Sequence, residues 1–311
     1  MYLVTGGAGF IGSHLAAALL SRGQSVRVMD NFLTGKRENL APFLKDIDLF
    51  EGDIRDPEAC RKAVRGVRHV HHQAALPSVP RSVEDPRTTN DINVTGTLNM
   101  LLAARDAGVE SFVFASSSSV YGDDPGLPKK EGREGAPLSP YAASKLAGEV
   151  YGRIFHDLYG FRAVSLRYFN VFGPRQDPFS QYAAVIPLFI TRMLEGRAPI
   201  IYGDGEQSRD FTYVADIVEA NILAASAEPA GGAVMNVACG RRTTVNHLAE
   251  ILARELGAEV RAVHADPRPG DILHSYADIE RAGRLIGFKP SVPLEDGLAA
   301  TAAWFRKDKN P

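Results

Sequence analysis

The sequence predicts an α/β protein built on a doubly wound parallel sheet, with a smaller C-terminal α/β lobe. Three observations carry this: the chain opens on a strand, a glycine turn and a helix; apolar strand patterns then alternate with helical patterns as far as Tyr168; and the alternation loosens from Phe172-Gly173-Pro174 onward. The 311 residues, 45% of them hydrophobic, can bury a sizeable core. The pattern divides them into a first domain, 1–170, and a lobe, 171–311, with some late segments expected to return to the first domain.

Tyr2 to Thr5 is a short apolar strand, followed by Gly6-Gly7-Ala8-Gly9-Phe10-Ile11-Gly12 and a helical pattern from Ile11 to about Ser21. Glycines at 6, 9 and 12 let the backbone turn tightly, approach a pyrophosphate and pack the helix on the sheet, with the helix N-terminus facing the phosphates. A lone glycine triplet is also consistent with a plain strand-to-helix turn. The next strand, Ser25 to Asp30, ends in an acid where Rossmann-type dinucleotide folds place their ribose-binding carboxylate. A carboxylate binds a ribose 2′-hydroxyl and repels a 2′-phosphate, so NAD is favoured over NADP.

Strand and helix candidates then alternate: Asp48 to Glu51 and Pro57 to Val64; Val67 to His72 and Asn90 to Ala107; Ser111 to Ala115 and Pro140 to Tyr159; and Ala163 to Tyr168. Asp53-Ile54 and Gln73-Ala74-Ala75 follow the third and fourth strands, at the carboxyl edge where such sheets bind ligands. Asp53 is placed to meet the adenine, and the small alanines leave the cofactor room. His69, His71 and His72 read as strand packing, because no acidic or cysteine partner stands at metal-ligand spacing. The run Ser116 to Ser119, bounded by Phe112-Val113-Phe114-Ala115 and Val120-Tyr121-Gly122, reads as an ordered turn at the same edge.

Ser139-Pro140 is a good N-cap followed by a good first helical residue, which starts a helix whose Tyr141 and Lys145 share one face. A neighbouring ammonium favours the phenolate and suits the phenol to proton transfer. The same spacing also occurs on plain surface helices, so its context decides. Past residue 170, helices are expected over 185–195, 215–226, 245–256 and 294–305. Arg209 and Arg268 are guanidinium forks of the kind that bind diphosphate oxygens.

A net charge of −2 gives no footprint for nucleic acid or an anionic membrane, and no run is long and apolar enough to span a bilayer. Cys60 and Cys239, the two cysteines, are too few for a disulfide framework. A reducing, cytoplasmic location and a small-molecule partner are therefore expected, with no metal.

Taken together, these stretches resemble the extended short-chain dehydrogenase/reductases, and among them the UDP-hexose 4-epimerases, especially those acting on N-acetylated sugars. The likeness covers nearly the whole chain. It rests on Thr5 to His14, Asp30-Asn31, Gly52-Asp53-Ile54, His72-Gln73-Ala74-Ala75, the serine run with Val120-Tyr121-Gly122, Tyr141 to Lys145, Arg167 to Pro174, Ser208-Arg209-Asp210-Phe211 and Arg268-Pro269-Gly270-Asp271. The resemblance implies Tyr141 as catalytic base, Lys145 as the residue that holds the nicotinamide ribose and lowers the tyrosine's pKa, and Ser117 as the hydroxyl bonded to the sugar's 4-oxygen. It implies Gly6, Gly9, Phe10, Ile11, Gly12, Asp30, Asn31, Asp53, Ile54, Gln73, Ala74, Ala75 and Tyr168 around NAD. Ser118, Asn170, Arg209, Arg268 and Asp271 would lie around the UDP-sugar, with Ser78 and Gln176 as weaker candidates.

The implied reaction oxidises C4 to a ketone, turns the sugar in the pocket and reduces the opposite face, leaving NAD unconsumed. Related dehydratases carry an acid soon after the catalytic Ser or Thr, where this chain has Ser118, Ser119 and Val120. Members restricted to plain hexoses carry a tyrosine beside the sugar's C2 side. Anchoring on Gly270-Asp271 and Ala277-Asp278 puts Ser275 at that position, which implies acceptance of UDP-GlcNAc and UDP-GalNAc, with UDP-glucose and UDP-galactose as the alternative pair; a slip of one residue would put Tyr276 there and reverse the inference. The resemblance also implies a homodimer formed by helices near 92–107 and 140–159.

Overall fold

The computed structural model describes residues 1–177, 184–267 and 272–309. Its first half comprises β1 (Tyr2–Thr5), α1 (Phe10–Ser21), β2 (Val26–Asp30), β3 (Asp48–Glu51), α2 (Pro57–Ala63), β4 (His69–His72), α3 (Val79–Glu84), α4 (Pro86–Asn90), α5 (Gly96–Asp106), β5 (Ser111–Ser117), α6 (Pro140–Tyr159) and β6 (Ala163–Tyr168). The remainder comprises β7 (Val171–Phe172), α7 (Val185–Leu194), β8 (Ile200–Tyr202), β9 (Ser208–Arg209), β10 (Thr212–Tyr213), α8 (Val214–Ser226), β11 (Val234–Val237), β12 (Thr243–Thr244), α9 (Val245–Leu256), β13 (Val263–Ala265), β14 (His274–Ser275), α10 (Glu280–Ile286) and α11 (Leu294–Lys309).

Seven strands form one parallel sheet in the order β3-β2-β1-β4-β5-β6-β11. Parallel pairing requires crossovers, and the helices that supply them cover both faces, which is why the strands are apolar on both sides. Leu3, Phe112 and Phe114 pack with α2, α5 and α6. The alternate residues Val4 and Val28 pack against α1, and Val113 against α8 and α10. Strand order reverses between β1 and β4, so a crevice opens there outside the carboxyl ends, where such sheets bind their ligands.

The lobe has its own core, in which Phe189, Ile190, Leu248, Leu252, Leu298 and Phe305 join α7, α9 and α11. Each fully buried side chain of this size contributes roughly 2 kcal/mol. Short two- and three-strand sheets complete it, β9 lying between β12 and β14.

Several elements differ from the sequence expectation. The helix expected from Asn90 begins at Pro86, capped by Asp85, whose carboxylate accepts from Thr88 N–H at 3.0 Å, and passes through a wider turn at Asp91–Thr95 before α5. β5 runs to Ser117, so Ser116 and Ser117 are strand residues and the turn is Ser118–Tyr121. The sequence gives no sign of α3 and α10, one to two turns long, because so short a pattern carries little periodicity.

Candidate active site

The glycine turn is sterically required. Gly6 has φ +66°, and a Cβ on it would lie 2.7 Å from Ala74 N; a Cβ on Gly12 would lie 2.2 Å from the Gly6 carbonyl oxygen. Close chain passage thus excludes any side chain at either position. The turn delivers the start of α1 with Gly9 as N-cap, no side-chain cap and no acid in its first turn. Such an end favours an anion. Phe10 and Ile11 form that first turn.

Asp30 closes the neighbouring edge. Its carboxylate accepts from Ala8 N–H at 2.9 Å and Phe32 N–H at 2.8 Å, while burial pushes its pKa up. Asn31 Nδ2 donates to Asp53 Oδ2 at 2.8 Å, and Arg55 holds Asp53 down at about 2. The expected edge acids are therefore linked through Asn31, the residue that follows Asp30. Ile54 is different: its side chain is buried in the core beneath Gly96, leaving only backbone for the edge. Ala74 N–H donates to Thr5 Oγ1 at 3.2 Å, with Ala75 next in the chain. Gln73 Nε2 donates to Tyr168 OH at 3.1 Å and to Asn221 Oδ1 at 3.0 Å. Asn221, on α8, had no local signal in the sequence.

An uncapped helix end, a glycine cradle that a Cβ would fill and a carboxylate beside it form a donor set that fits a dinucleotide.

Ser117 ends β5 opposite Tyr168. Its Oγ accepts from Ser119 N–H at 3.2 Å, and its hydroxyl acts on the Tyr141 phenol. Ser139 caps α6 by accepting from Ala142 N–H at 3.1 Å, and Pro140 occupies the first helical position. Lys145, 4% exposed, donates from Nζ to the Ala115 carbonyl at 2.8 Å, with Nζ 5.1 Å from the Phe114 ring centroid and 5.8 Å from that of Tyr141. The structure thus gathers Ser117, Tyr141 and Lys145.

In the chain by itself, burial pushes the Tyr141 phenol up, opposed by the Ser117 hydroxyl. Burial also draws Lys145 down to about 7, against the pull of Glu149. Both groups are taken from water together, which disfavours the charged form of each.

Asn170, with φ +35°, donates from Nδ2 to the Asp210 carbonyl at 3.0 Å. It lines a cavity of about 240 Å³ with Phe172, Phe189, Ile200, Arg209 and Val245. Arg209 donates to the Ser208 carbonyl at 3.0 Å and pairs across β9 and β14 with Ser275. The structure therefore joins Asn170 to Arg209, and Arg209 to Ser275.

Gln176 Nε2 donates to the Val171 carbonyl at 3.1 Å. Ser118 lies in the turn after β5. The Ser78 hydroxyl caps α3 by accepting from Arg81 N–H at 3.3 Å. Arg268 and Asp271, one of the anchors used for Ser275, lie outside the described residues. The organising acid of the lobe is Asp210, whose role has no local signal in the sequence. It is fully buried and accepts from Cys239 N–H at 2.9 Å, Gly240 N–H at 2.9 Å and Ala277 N–H at 3.2 Å.

Residues 2–238 match the NAD dependent epimerase/dehydratase family. The chain belongs to that family. A curated family relative, a putative UDP-glucose 4-epimerase of Methanocaldococcus jannaschii, is 41% identical over 310 residues, covering 99% of each chain. Among solved structures, the UDP-N-acetylglucosamine 4-epimerase from Methanobrevibacter ruminantium, in complex with UDP-N-acetylmuramic acid, superposes with TM-score 0.94 at 45% identity, covering 99% of this chain and 98% of that one. The Thermus thermophilus UDP-glucose 4-epimerase complex with NAD gives TM-score 0.88 at 41% identity, covering 98% of each. The family assignment agrees with the NAD cofactor and the Rossmann-type sheet expected from sequence. Among the described residues no helix is long and apolar enough to cross a membrane, and no group of three His, Cys, Asp or Glu side chains is arranged to hold a metal.

Proposed function

We propose that this chain inverts C4 of a UDP-hexose through a transient 4-keto sugar, with UDP-GlcNAc and UDP-GalNAc as the interconverted pair. The observation that carries the reading is the Ser117, Tyr141 and Lys145 constellation at the end of β5, two strands from the glycine turn that follows β1. Gly6, Gly9, Gly12 and the start of α1 would hold the cofactor's diphosphate, with Asp30 on a ribose and Asn31 and Asp53 toward the adenine. When bound, NAD supplies a hydride acceptor and donor at C4, together with a positive ring charge that favours the Tyr141 phenolate.

Tyr141 takes the proton of the 4-hydroxyl and later returns it, while Ser117 bonds the 4-oxygen. Lys145 orients the nicotinamide ribose. Asn170 and Arg209 anchor the uridine diphosphate, joined by Arg268 and Asp271, so the sugar turns while its anchor stays. The lobe 171–311 is mainly the UDP-sugar side and 1–170 the cofactor side.

The small Ser275 supports the N-acetylated substrates. A UDP-glucose/UDP-galactose preference is the second reading, favoured by the names of two of the relatives. Incubating the protein separately with UDP-GlcNAc and UDP-glucose, with NAD present, and resolving the 4-epimers by chromatography distinguishes them. Conversion of UDP-GlcNAc supports the proposal, conversion of UDP-glucose alone selects the second reading, and conversion of neither rejects both.

The assembly we infer is a homodimer. Leu102 on α5 and Val150, Ile154 and Leu158 on α6 are exposed at helical spacing, an apolar stripe suited to a second copy. Burial lifts the thiols of Cys60 and Cys239 to about 12, which keeps them unreactive and suits a cytoplasmic protein.

A further inference from the structure

Behind the constellation lies a buried ionic cluster whose chemistry the motifs leave unused. Glu149, one turn beyond Lys145 on α6 and 3% exposed, accepts from Arg167 Nε at 2.8 Å and Nη2 at 2.7 Å, and from Ser116 Oγ at 2.5 Å. Arg167, on β6, also donates from Nη1 to Glu134 Oε1 at 2.5 Å, and its guanidinium lies 4.8 Å from the Tyr121 ring centroid. Ser116 immediately precedes Ser117. Taking two charges out of water costs several kcal/mol for each ion, so such a pair often adds no stability over apolar side chains of the same volume. Its position suggests a role in the site.

We propose that Glu149 is a positioning residue for the catalytic pair: through Ser116 it fixes the end of β5 that carries Ser117, and its charge, one helical turn along α6, acts on the buried Lys145 ammonium. The inference rests on the roles given above to Tyr141 and Lys145. Around Lys145 stand the Ala115 carbonyl and Phe114 ring of β5, His72 of β4, and Tyr141 and Glu149 of α6. Burial holds His72 neutral, down at about 3, and pushes the Tyr141 phenol up, so Glu149 supplies the negative charge among these groups.

The test is a titration of lysine side-chain nitrogens by NMR in ¹⁵N-lysine-labelled protein, the Lys145 signal being identified by its loss in Lys145→Met. In Glu149→Gln the Lys145 midpoint is expected to fall by about one pH unit or more, and the alkaline limb of the kcat profile to move the same way. An unmoved midpoint in folded Glu149→Gln overturns the proposal. Because halving a buried pair can unfold a protein, Glu149→Gln/Arg167→Met serves as a second variant that removes both charges. Its midpoint is also expected below wild type, and equality with wild type overturns the proposal. A shifted midpoint in protein that turns over no UDP-hexose supports the Glu149–Lys145 coupling while rejecting the reaction assigned above.

Discussion

Lys145 Nζ lies 5.8 Å from the centroid of the Tyr141 ring while donating to the Ala115 carbonyl at 2.8 Å, so the sheet itself fixes the ammonium beside the phenol. Replacing Tyr141 by Phe removes the proton acceptor and leaves the ring. Tyr141→Phe is expected to lower kcat by roughly 10²- to 10⁴-fold with an unchanged melting temperature; turnover equal to wild type would refute Tyr141 as the base.

Gly12→Ala tests the cofactor turn. The added Cβ would meet the Gly6 carbonyl at 2.2 Å, backbone against backbone, with no flexible side chain to yield. The variant is expected to lose at least tenfold in NAD affinity by fluorescence titration, or about 1.4 kcal/mol. Unchanged affinity would show that the turn is not the pyrophosphate site.

Asp210 gives a pH signature in stability. Burial raises it from 3.8 to about 6, so the native state binds its proton more tightly than the unfolded chain. Its contribution is full below pH 3.8 and is lost as pH rises to about 6, an amount on the order of 2–3 kcal/mol. Lys145 runs oppositely: lowered from 10.5 to about 7, its charge penalises the fold below pH 7, and stability rises as pH passes from 7 toward 10.5. Urea unfolding of wild type and Asp210→Asn at pH 4 and 6.5 isolates the Asp210 part. The difference between the two proteins should change across that interval; a constant difference contradicts the assignment.

Ser275 lies across from Arg209 in the β9–β14 pair. A tyrosine there adds an aromatic ring beside the cavity that Arg209 lines. Ser275→Tyr is expected to cut kcat/KM for UDP-GlcNAc by at least about tenfold while leaving UDP-glucose within about threefold, since excluding an added group from a filled pocket is worth about 1–3 kcal/mol. Equal losses for both substrates would remove Ser275 from the specificity argument.

What the sequence made legible was local. Ser139-Pro140 marked the start of α6, the glycine turn marked β1 and α1, and β6 matched its apolar run from Ala163 to Tyr168. Asp210 could not be read this way, because its N–H donors come from residues 239, 240 and 277, brought together by the lobe's folding. Asn221 is similar, meeting Gln73 and Tyr168 across the sheet. The sign of the Tyr141 shift is hidden from the sequence for a related reason: the Lys145 spacing is visible in a helix, whereas desolvation depends on everything packed above it.

The most direct measurement is NMR of UDP-GlcNAc incubated with the protein and NAD in D₂O. Hydride that leaves C4 and returns to it never exchanges with solvent, so the account predicts the 4-epimer with hydrogen, not deuterium, at C4. Deuterium at C4, or a dehydrated sugar in place of the epimer, would contradict it.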